Sequence, residues 1–262
     1  MAVTLSLAGK VALVTGGSRG IGAATVRLFA KAGARVYFSY RTAAEQAQEL
    51  TAECGGADLC IGVQQPLDSA ADGRALVNAA VKHFGRLDAL IVNHGVWPPR
   101  DVGIDAMDEA QWQNTLSTNL HSAFGLVQCA AKQMKSQPPD AHGARGHVVL
   151  IASTAAQRGE AFHADYAASK GALISLTKSL SSELSSQGIY VNCVAPGWVE
   201  TDMSAPAINE PATLKKILAA IPVGRVATPE EIAAPVLFLC TPHAGFIAGE
   251  VMNVNGGAVL VG

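Results

Sequence analysis

Short runs of consecutive apolar residues alternate with longer amphipathic segments along most of the chain. The apolar runs predict strands, and the segments between them, whose apolar residues recur every three or four positions, predict helices. The predicted strands cover residues 11–15, 36–40, 59–63, 87–92, 147–153, 189–194 and 250–254. The predicted helices cover residues 20–31, 43–54, 69–84, 108–134, 165–184 and 229–239.

A strand that is apolar at consecutive positions is buried on both faces, which is typical of a parallel sheet between two layers of helices. The pattern therefore predicts an α/β fold with a doubly wound parallel sheet in three layers. No internal repeat or long linker divides the chain, so residues 1–262 are predicted to form a single domain. Two longer irregular stretches, 95–104 and 196–211, follow predicted strands at the sheet edge where ligands bind.

Composition and charge exclude several classes of function. The 262 residues are 49% hydrophobic and 15% charged, with a formal net charge of −2. The two signs are interspersed, so there is no basic stripe for nucleic acid and no polybasic segment for a membrane. No apolar run reaches the roughly 18 residues of a membrane span, and the first residues lack the charged start of a secretory signal. We therefore expect a cytoplasmic protein.

The five cysteines are scattered and contain no Cys-x-x-Cys pair. Their odd number and spacing argue against a disulfide framework and against a zinc site. The seven histidines show no His-x-x-x-His spacing, which would place two ligands on one helix face. No metal site is predicted, and the thiols are expected to be reduced and mostly buried.

A glycine-rich turn, TGGSRGIG, follows the first predicted strand and opens the first predicted helix. Gly16, Gly20 and Gly22 lie where the backbone can approach a ligand closely and where the amides of the helix start face outward. This arrangement suits the pyrophosphate of a dinucleotide. The spacing is G-x-x-x-G-x-G instead of the commoner G-x-G-x-x-G, and by itself the turn could be no more than a tight connection.

Tyr166 and Lys170 are four positions apart in a predicted helix, so their side chains lie one turn apart on the same face. An ammonium about 4 Å from a phenol favours the phenolate by a few kcal/mol at an effective dielectric near 20. We therefore expect Lys170 to lower the pKa of Tyr166 from its usual value of about 10. Taken alone, such a pair is more often formed by ordinary surface residues of a helix.

The TGGSRGIG turn, Asn93-His94-Gly95, Asn119, Ser153, the YAASK segment and PGWVET together resemble the short-chain dehydrogenase/reductase family over essentially the whole chain. The resemblance implies a Rossmann-type fold, NAD or NADP as hydride carrier, and commonly a homotetramer. It also implies the catalytic residues Asn119, Ser153, Tyr166 and Lys170. Tyr166 would be the acid/base and Ser153 a second hydrogen-bond donor. Asn119 would hold a water that relays protons to Lys170, which also bonds the nicotinamide ribose.

The predicted cofactor contacts lie in the glycine turn and at the ends of later strands. They are Gly16, Gly17, Ser18, Arg19, Gly20, Ile21, Arg41, Leu67, Asn93, Gly95, Tyr166, Lys170, Pro196, Gly197, Val199 and Thr201. After the second strand there is no acid for the ribose hydroxyls of NAD. Arg41 and Arg19, unless they are ordinary solvated arginines, suit a 2′-phosphate instead. We predict a preference for NADP(H), with NAD(H) left open.

The chain departs from the family pattern at several positions near the cofactor. The family usually reads Asn-Asn-Ala-Gly where this chain has Val92-Asn93-His94-Gly95, and commonly has an Asp where this chain has Pro66. Proline offers neither a carboxylate nor a backbone N–H, and the sequence leaves open whether Leu67 or Asp68 takes over the adenine contact. Asp165 stands where relatives often have Asn, and we expect it to face solvent.

The expected function is hydride transfer between NADP(H) and a carbonyl or secondary alcohol of a small molecule. The motif set is most like that of 3-oxoacyl-[acyl-carrier-protein] reductases, so the substrate could be carried by an acyl carrier protein. Candidate substrate contacts, or alternatively packing residues, are His94, Trp97, His163 and Trp198. Residues 197–212 are expected to form a mobile lid. A sugar or polyol dehydrogenase of the same family and a nucleotide-sensing protein without catalysis remain alternatives.

Overall fold

A computed structural model describes residues 4–261. Residues 1–3 and 262, part of the predicted domain 1–262, lie outside the described residues. The strands are β1 Val11–Val14, β2 Arg35–Tyr40, β3 Cys60–Gln64, β4 Ala89–Val92, β5 Gly146–Ile151, β6 Ile189–Pro196 and β7 Val251–Val254. The α-helices are α1 Gly20–Lys31, α2 Ala44–Glu53, α3 Ala70–Phe84, α4 Glu109–Leu116, α5 Ser122–Ser136, α6 Ala155–Arg158, α7 Ala164–Leu184, α8 Ala205–Ile208, α9 Pro211–Ala219 and α10 Pro229–Leu239. Within residues 4–261, no helix is both long and apolar enough to cross a membrane.

The seven strands form one parallel sheet in the order β3-β2-β1-β4-β5-β6-β7. The chain builds outward from β1 to β3, returns to place β4 beside β1, and then builds outward in the other direction. At this reversal the connections diverge and leave a crevice at the carboxyl ends of β1 and β4. The predicted doubly wound α/β fold of Rossmann type is confirmed.

Each strand contributes to two helical layers, because successive side chains of a strand point to opposite faces. In β1, Ala12 and Val14 pack into the core that contains residues of α1 and α10. Val11 and Leu13 pack into the core that contains residues of α3, α5 and α7. All four are buried. This two-sided burial explains why the strands are apolar at consecutive positions.

Side chains cap several helices but leave the start of α1 open. Asp108 Oδ1 accepts a hydrogen bond from the Gln111 N–H at 2.6 Å at the start of α4. Glu231 Oε2 accepts from the Thr228 N–H at 2.9 Å in the capping box of α10. Arg19, which precedes α1, provides no side-chain cap. The first N–H groups of α1 are therefore free to bind another partner.

The predicted helix over 108–134 is interrupted in the middle. Helices α4 and α5 are joined by a π-helical turn, Ser117–His121. Such a turn inserts one residue into the helix and often occurs at functional sites. The i→i+5 bonds that define the turn are a property of the backbone, and the residues on both sides of it have a helical pattern, so the sequence predicts one continuous helix. The stretch 196–211, predicted to be irregular, likewise contains α8 and ends at the first residue of α9.

Candidate active site

The tight turn between β1 and α1 requires glycine at several positions, because there is no room for a side chain. A Cβ on Gly22 would lie 2.0 Å from the Gly16 carbonyl oxygen, and one on Gly17 would lie 2.6 Å from the Cβ of Phe38. Gly16 has a φ of +64°, a conformation that favours glycine. Asn93 Nδ2 donates to the Gly16 carbonyl at 3.2 Å. The side chain of Asn93 therefore supports the turn.

A cavity of about 530 Å³ opens beside this turn at the carboxyl edge of the sheet. Most of the predicted cofactor and catalytic residues form its wall: Gly16, Ser18, Arg19, Gly20, Ile21, Arg41, Leu67, Asn93, Gly95, Ser153, Tyr166, Lys170, Pro196, Gly197, Val199 and Thr201. The predicted residues Gly17, Asn119 and His163 lie behind that wall. The cavity has a volume typical of small-molecule sites.

The cavity wall also contains residues that the sequence did not single out as contacts. They are Ser39, Tyr40, Thr42, Ala43, Gln65, Val96, Thr118, Ile151, Ala152, Thr154, Ala155, Arg158, Glu160, Asp202, Met203 and Ser204. Many of them lie at or just after the carboxyl end of a strand, so their position relative to the predicted strands could have identified them. Glu160 lies between α6 and α7, and only the tertiary structure brings it to the cavity.

Tyr166 and Ser153 both line the cavity. Tyr166 lies in the first turn of α7, Ser153 follows β5, and the Ser153 hydroxyl is near enough to act on the phenol. Ser153 Oγ also accepts from the Ala155 N–H at 3.1 Å. Burial raises the pKa of Tyr166 to about 12, the nearby Ser153 hydroxyl opposes the rise, and the charge of Glu160 adds to it. The phenol is therefore protonated at neutral pH.

Lys170 lies one turn from Tyr166, and its Nζ donates to the Ile151 carbonyl oxygen at 2.9 Å. Burial lowers the pKa of Lys170 to about 8, because removal from water disfavours the ammonium. The same burial disfavours the phenolate of Tyr166. The expectation that the pKa of Tyr166 is lowered is therefore wrong for this structure, since burial raises it and Lys170 is not among the groups that shift it.

Asn119 lies in the π-helical turn and is 1% exposed. Its Oδ1 accepts from the Val96 N–H at 2.7 Å, and its Nδ2 donates to the Val96 carbonyl at 3.0 Å and to Ser169 Oγ at 3.0 Å. A Cβ on Gly95 would lie 3.2 Å from both Asn119 Oδ1 and Lys170 Nζ. Asn119 thus holds the loop after β4 against Lys170, and its side-chain amide is occupied by protein partners.

Both arginines predicted to bind a 2′-phosphate form ion pairs. Arg41 pairs with Asp68, whose Oδ1 also accepts from Thr118 Oγ1 at 3.2 Å. Arg19 Nη1 lies 3.2 Å from Asp202 Oδ2. All four charged side chains are about half exposed or more. Asp68 is thereby engaged by Arg41 and Thr118.

Three of the four candidate substrate residues form one aromatic cluster. Trp97 stacks on His163 with ring centroids 4.8 Å apart and planes at 17°, and it meets Trp198 edge to face at 6.3 Å. His163 is 3% exposed, and its Nε2 lies 2.9 Å from the Pro98 carbonyl oxygen. The two tryptophans line the cavity, while His163 supports Trp97 from behind.

The fourth candidate, His94, has both ring nitrogens occupied within the protein. Nδ1 lies 2.8 Å from Thr15 Oγ1, and Nε2 lies 2.7 Å from Ser122 Oγ and 3.1 Å from the Thr118 carbonyl oxygen. Burial, with a contribution from the charge of Lys170, lowers the pKa of His94 to about 3. The neutral ring ties β1 to the π-helical turn and leaves no ring nitrogen for a substrate.

The expectation that Asp165 faces solvent is wrong. Its side chain is buried, and Oδ2 accepts from Thr115 Oγ1 at 2.8 Å and from Gln111 Nε2 at 3.2 Å. Adjacent helix positions point about 100° apart, so Asp165 faces α4 while Tyr166 faces the cavity. The carboxylate that acts on Tyr166 is Glu160.

The cavity fits a dinucleotide that carries hydride. The uncapped start of α1 and the glycine turn offer backbone N–H groups for a pyrophosphate. Arg41 follows β2 and Ser153 follows β5, and these strands are three strand spacings apart, or about 14 Å. An extended cofactor can therefore reach from the arginine to the Ser153–Tyr166 pair. Fold and site together define a nucleotide-dependent oxidoreductase.

Comparisons with known proteins agree with this class. A family model described as enoyl-(acyl carrier protein) reductase matches residues 16–259. The chain is 37% identical to a 3-oxoacyl-[acyl-carrier-protein] reductase FabG from Vibrio cholerae over 259 residues, which cover 98% of this chain and 100% of that protein.

Solved structures of similar proteins share the fold over nearly the full length. A short-chain dehydrogenase/reductase from Brucella melitensis, described as a glucose/ribitol dehydrogenase, has a TM-score of 0.89 at 30% identity and covers 99% of this chain and 100% of its own. A putative 2-deoxy-d-gluconate 3-dehydrogenase from Agrobacterium tumefaciens with bound NADP has a TM-score of 0.83 at 31% identity, with 98% and 99% covered. The chain belongs to the short-chain dehydrogenase/reductase family and is an NAD(P)-dependent oxidoreductase.

Proposed function

We propose that this protein uses NADPH to reduce the 3-oxo group of acyl thioesters, including those carried by an acyl carrier protein. The observation that carries the proposal is that Ser153, Tyr166 and Lys170 line one cavity, with Lys170 one helical turn from Tyr166. The full-length similarity to the Vibrio cholerae reductase supports the choice of substrate.

Tyr166 and Ser153 supply the two hydrogen-bond donors that carbonyl reduction requires. Bound NADPH supplies the hydride, and negative charge develops on the carbonyl oxygen as the hydride reaches carbon. Tyr166 gives its phenolic proton to that oxygen while the Ser153 hydroxyl donates a hydrogen bond to it. A pKa of about 12 keeps Tyr166 protonated at neutral pH, and the developing alkoxide is more basic than a phenolate. This protonation state suits reduction better than oxidation, which begins from the phenolate.

Lys170 and Asn119 support the proton donor. With a pKa of about 8, most Lys170 side chains carry a proton at pH 7, and we propose that this proton returns to Tyr166 through water after each turnover. Lys170, which lines the cavity, would also hold the ribose of a bound cofactor. Asn119 positions the loop at Gly95 and Val96 beside Lys170, and the proposed relay water lies next to that loop.

NADP(H) is the cofactor that we propose as preferred. Exposed ion pairs such as those of Arg41 and Arg19 contribute only about 0–1 kcal/mol. Hydrogen bonds between a guanidinium and a phosphate are stronger and are often bidentate. A 2′-phosphate can therefore replace Asp68 on Arg41. The NADP bound to the Agrobacterium tumefaciens protein supports this proposal.

The segment 197–212 is proposed to close over the substrate. Asp202 in this segment pairs with Arg19 in the glycine turn, and Met203 is 46% exposed at the cavity. Within the segment, the Ser204 hydroxyl donates a hydrogen bond to the Thr201 carbonyl oxygen at 3.0 Å. Closure would exclude water during hydride transfer.

A homotetramer is the proposed assembly. Large apolar side chains are exposed in the C-terminal third, with Phe246 fully exposed and Leu260 88% exposed. Exposed apolar side chains that gather on one surface are typical of an interface. The family resemblance supports a tetramer as the assembly that would cover it.

The function can be tested by following NADPH absorbance with three groups of compounds. These are the acetoacetyl thioester of N-acetylcysteamine, simple ketones, and sugars or polyols, the polyols being assayed with NADP⁺. We expect the thioester to have the highest kcat/KM. Tyr166→Phe should lower kcat by about 10²- to 10⁴-fold, since it removes the general acid, and should have little effect on the Kd for NADPH. Tyr190→Phe, on β6 and outside the cavity wall, is the matched control and should keep full activity.

Three outcomes would contradict the proposal. A higher kcat/KM for a sugar or polyol would favour a sugar dehydrogenase. Tight NADPH binding without turnover of any compound would indicate a nucleotide-sensing protein. Turnover by Tyr166→Phe at the wild-type rate would show that Tyr166 is not the general acid.

A further inference from the structure

Gln65 is a polar residue of the cavity wall to which the proposed reaction gives no role. It directly follows β3, and its N–H donates to the Tyr40 carbonyl oxygen at the end of β2 at 2.9 Å. This bond places Gln65 beside Arg41. Strands β2 and β3 lie on one side of β1, and β5, which leads to Ser153, lies on the other. A dinucleotide with its pyrophosphate at the glycine turn and its nicotinamide near Ser153 therefore has its adenosine at Gln65.

The three residues after Gln65 offer no side chain to the polar edge of adenine. Pro66 has no hydrogen-bonding side chain. Leu67 lines the cavity with an apolar side chain, which suits the face of a purine ring. Asp68 lies outside the cavity wall, and its carboxylate is paired with Arg41. The amide of Gln65 is thus the group beside Leu67 that has a donor and an acceptor side by side.

The orientation of the Gln65 amide is fixed by the neighbouring backbone. Nε2 donates to the Pro66 carbonyl oxygen at 3.3 Å, so a rotation that exchanged the amide oxygen and nitrogen would bring two oxygens together. Oε1 can then accept from the adenine amino group, while the second N–H of Nε2 donates to an adjacent ring nitrogen. Ser39, Tyr40 and Thr42 share this end of the cavity wall, but a hydroxyl rotates to suit either a donor or an acceptor.

We propose that Gln65 is the residue that determines the specificity for the base of the cofactor, by accepting a hydrogen bond from the adenine amino group. The predicted contact of Arg41 with the 2′-phosphate lies beside it, which agrees with the chemistry, because the base and the 2′-phosphate are attached to the same ribose. The inference concerns the binding of the nucleotide and does not depend on which substrate is reduced.

NADPH and its hypoxanthine analogue test the inference, because they differ at the edge of the base that Gln65 would contact. In the analogue a carbonyl oxygen replaces the amino group and would face the Gln65 Oε1 atom. The Kd values are measured by fluorescence titration without a substrate. We expect the wild type to bind NADPH about 5- to 30-fold more tightly than the analogue. Gln65→Leu, which removes the amide but keeps most of the volume, should bring the ratio of the two Kd values close to 1.

Two further variants separate recognition of the base from a structural role. Gln65→Glu keeps an acceptor for the amino group, so it should keep or widen the ratio, although repulsion of the 2′-phosphate should raise both Kd values. Gln64→Leu is the matched control. Gln64 is exposed and lies outside the cavity wall, where its Nε2 donates to the Arg41 carbonyl oxygen at 2.9 Å. Its replacement should leave the ratio unchanged.

Equal Kd values for the two nucleotides in the wild type would overturn the inference. An increase of both Kd values in Gln65→Leu at an unchanged ratio would also overturn it, because Gln65 would then have only a structural role. Either result leaves the proposed reductase function standing, since that function is tested by the turnover of thioesters, ketones and sugars. If the wild type binds neither nucleotide, the proposed function and the inference both fall.

Discussion

At the scale of single residues, His94 and Asp68 meet at Thr118. His94 Nε2 contacts the Thr118 carbonyl oxygen, and Asp68 accepts from the Thr118 hydroxyl. Asp68 in turn holds Arg41. His94 departs from the family pattern, and Asp68 lies two residues after Pro66, which also departs from it. The two residues are thus linked through the π-helical turn that carries Asn119. Arg41, at one end of the cavity, is thereby connected to the turn that carries Asn119 at the other end.

His94 should make the fold sensitive to acid. Its pKa is lowered to about 3 from a usual value of 6.5, so between these pH values the unfolded chain binds more protons than the folded one. The stability that the neutral His94 ring contributes is therefore lost as the pH falls from about 6.5 towards about 3. Between pH 6.5 and pH 5 the loss from His94 is at most about 2 kcal/mol. His94→Ala should have a smaller difference in the free energy of unfolding between pH 7 and pH 5 than the wild type, as measured by urea denaturation.

Some acid sensitivity should remain in His94→Ala. His147 on β5 is also buried, and its pKa is lowered to about 4, which gives a pH dependence of the same sign. His142→Ala is the control, because His142 is exposed in the loop before β5. Equal pH 7 to pH 5 differences in His94→Ala and the wild type would show that His94 does not contribute.

Arg41 should decide the cofactor preference. Arg41→Ala should raise the KM for NADPH by about 10- to 100-fold, the equivalent of one charged hydrogen-bonding partner, and should change the KM for NADH little. Asp68→Asn removes the competing carboxylate and should lower the KM for NADPH by no more than about fivefold. Steady-state kinetics with both cofactors measure these effects.

The matched control for Arg41 is Arg27→Ala. Arg27 is an arginine on α1 that pairs with Glu53 at 2.8 Å and lies outside the cavity wall. It should leave both KM values unchanged. A wild-type kcat/KM for NADH equal to or above that for NADPH would remove the proposed NADP(H) preference.

At the scale of elements, α3 and α5 cross with their backbones in contact. A Cβ on Gly125 of α5 would lie 2.0 Å from the Ala70 carbonyl oxygen, and one on Gly73 of α3 would lie 2.4 Å from the Ser122 carbonyl oxygen. Glycine is normally unfavourable within a helix by about 1 kcal/mol. Here it permits a close approach, and α5 begins directly after the π-helical turn at the active site.

Gly125→Ala should therefore destabilise the protein by about 1–3 kcal/mol, because overpacking outweighs the better helix propensity of alanine. Gly171→Ala in α7 is the matched control, since its Cβ would find its nearest neighbour, the Ala156 carbonyl oxygen, at 3.8 Å. That variant should be stabilised by about 0.5–1 kcal/mol. Urea denaturation measures both effects. An unchanged free energy of unfolding in Gly125→Ala would show that the two helices can separate at little cost.

At the scale of the whole molecule, the exposed apolar residues Phe246 and Leu260 should control assembly. Light scattering should give a mass of about four times the 27.0 kDa of one chain. Phe246→Asp combined with Leu260→Asp should reduce that mass, because charges at the interface would lose hydration. Ile104→Asp, which changes a residue that is 71% exposed in the loop after β4, should not. A wild-type mass of 27.0 kDa, that of a single chain, would contradict the proposed tetramer.

Much of the fold and part of the site could be predicted from the sequence because the relevant signals are local. Each strand is a continuous apolar run, and the glycine turn sits directly between a strand and a helix. Tyr166 and Lys170 share one helix, so their adjacency follows from helical geometry alone. The π-helical turn escaped prediction because the residues on both sides of it have a helical pattern and its i→i+5 bonds are not visible in a sequence.

The sequence by itself determined the order of strands and helices, the two-sided burial of the sheet and the carboxyl edge at which the polar residues gather. The tertiary structure alone decided the electrostatics. The pKa of Tyr166 depends on its burial and on Glu160, Asp165 is buried because α4 packs over it, and Arg41 has Asp68 as its partner. Burial and charge pairing depend on residues that are distant in the chain, and neither is encoded in local spacing.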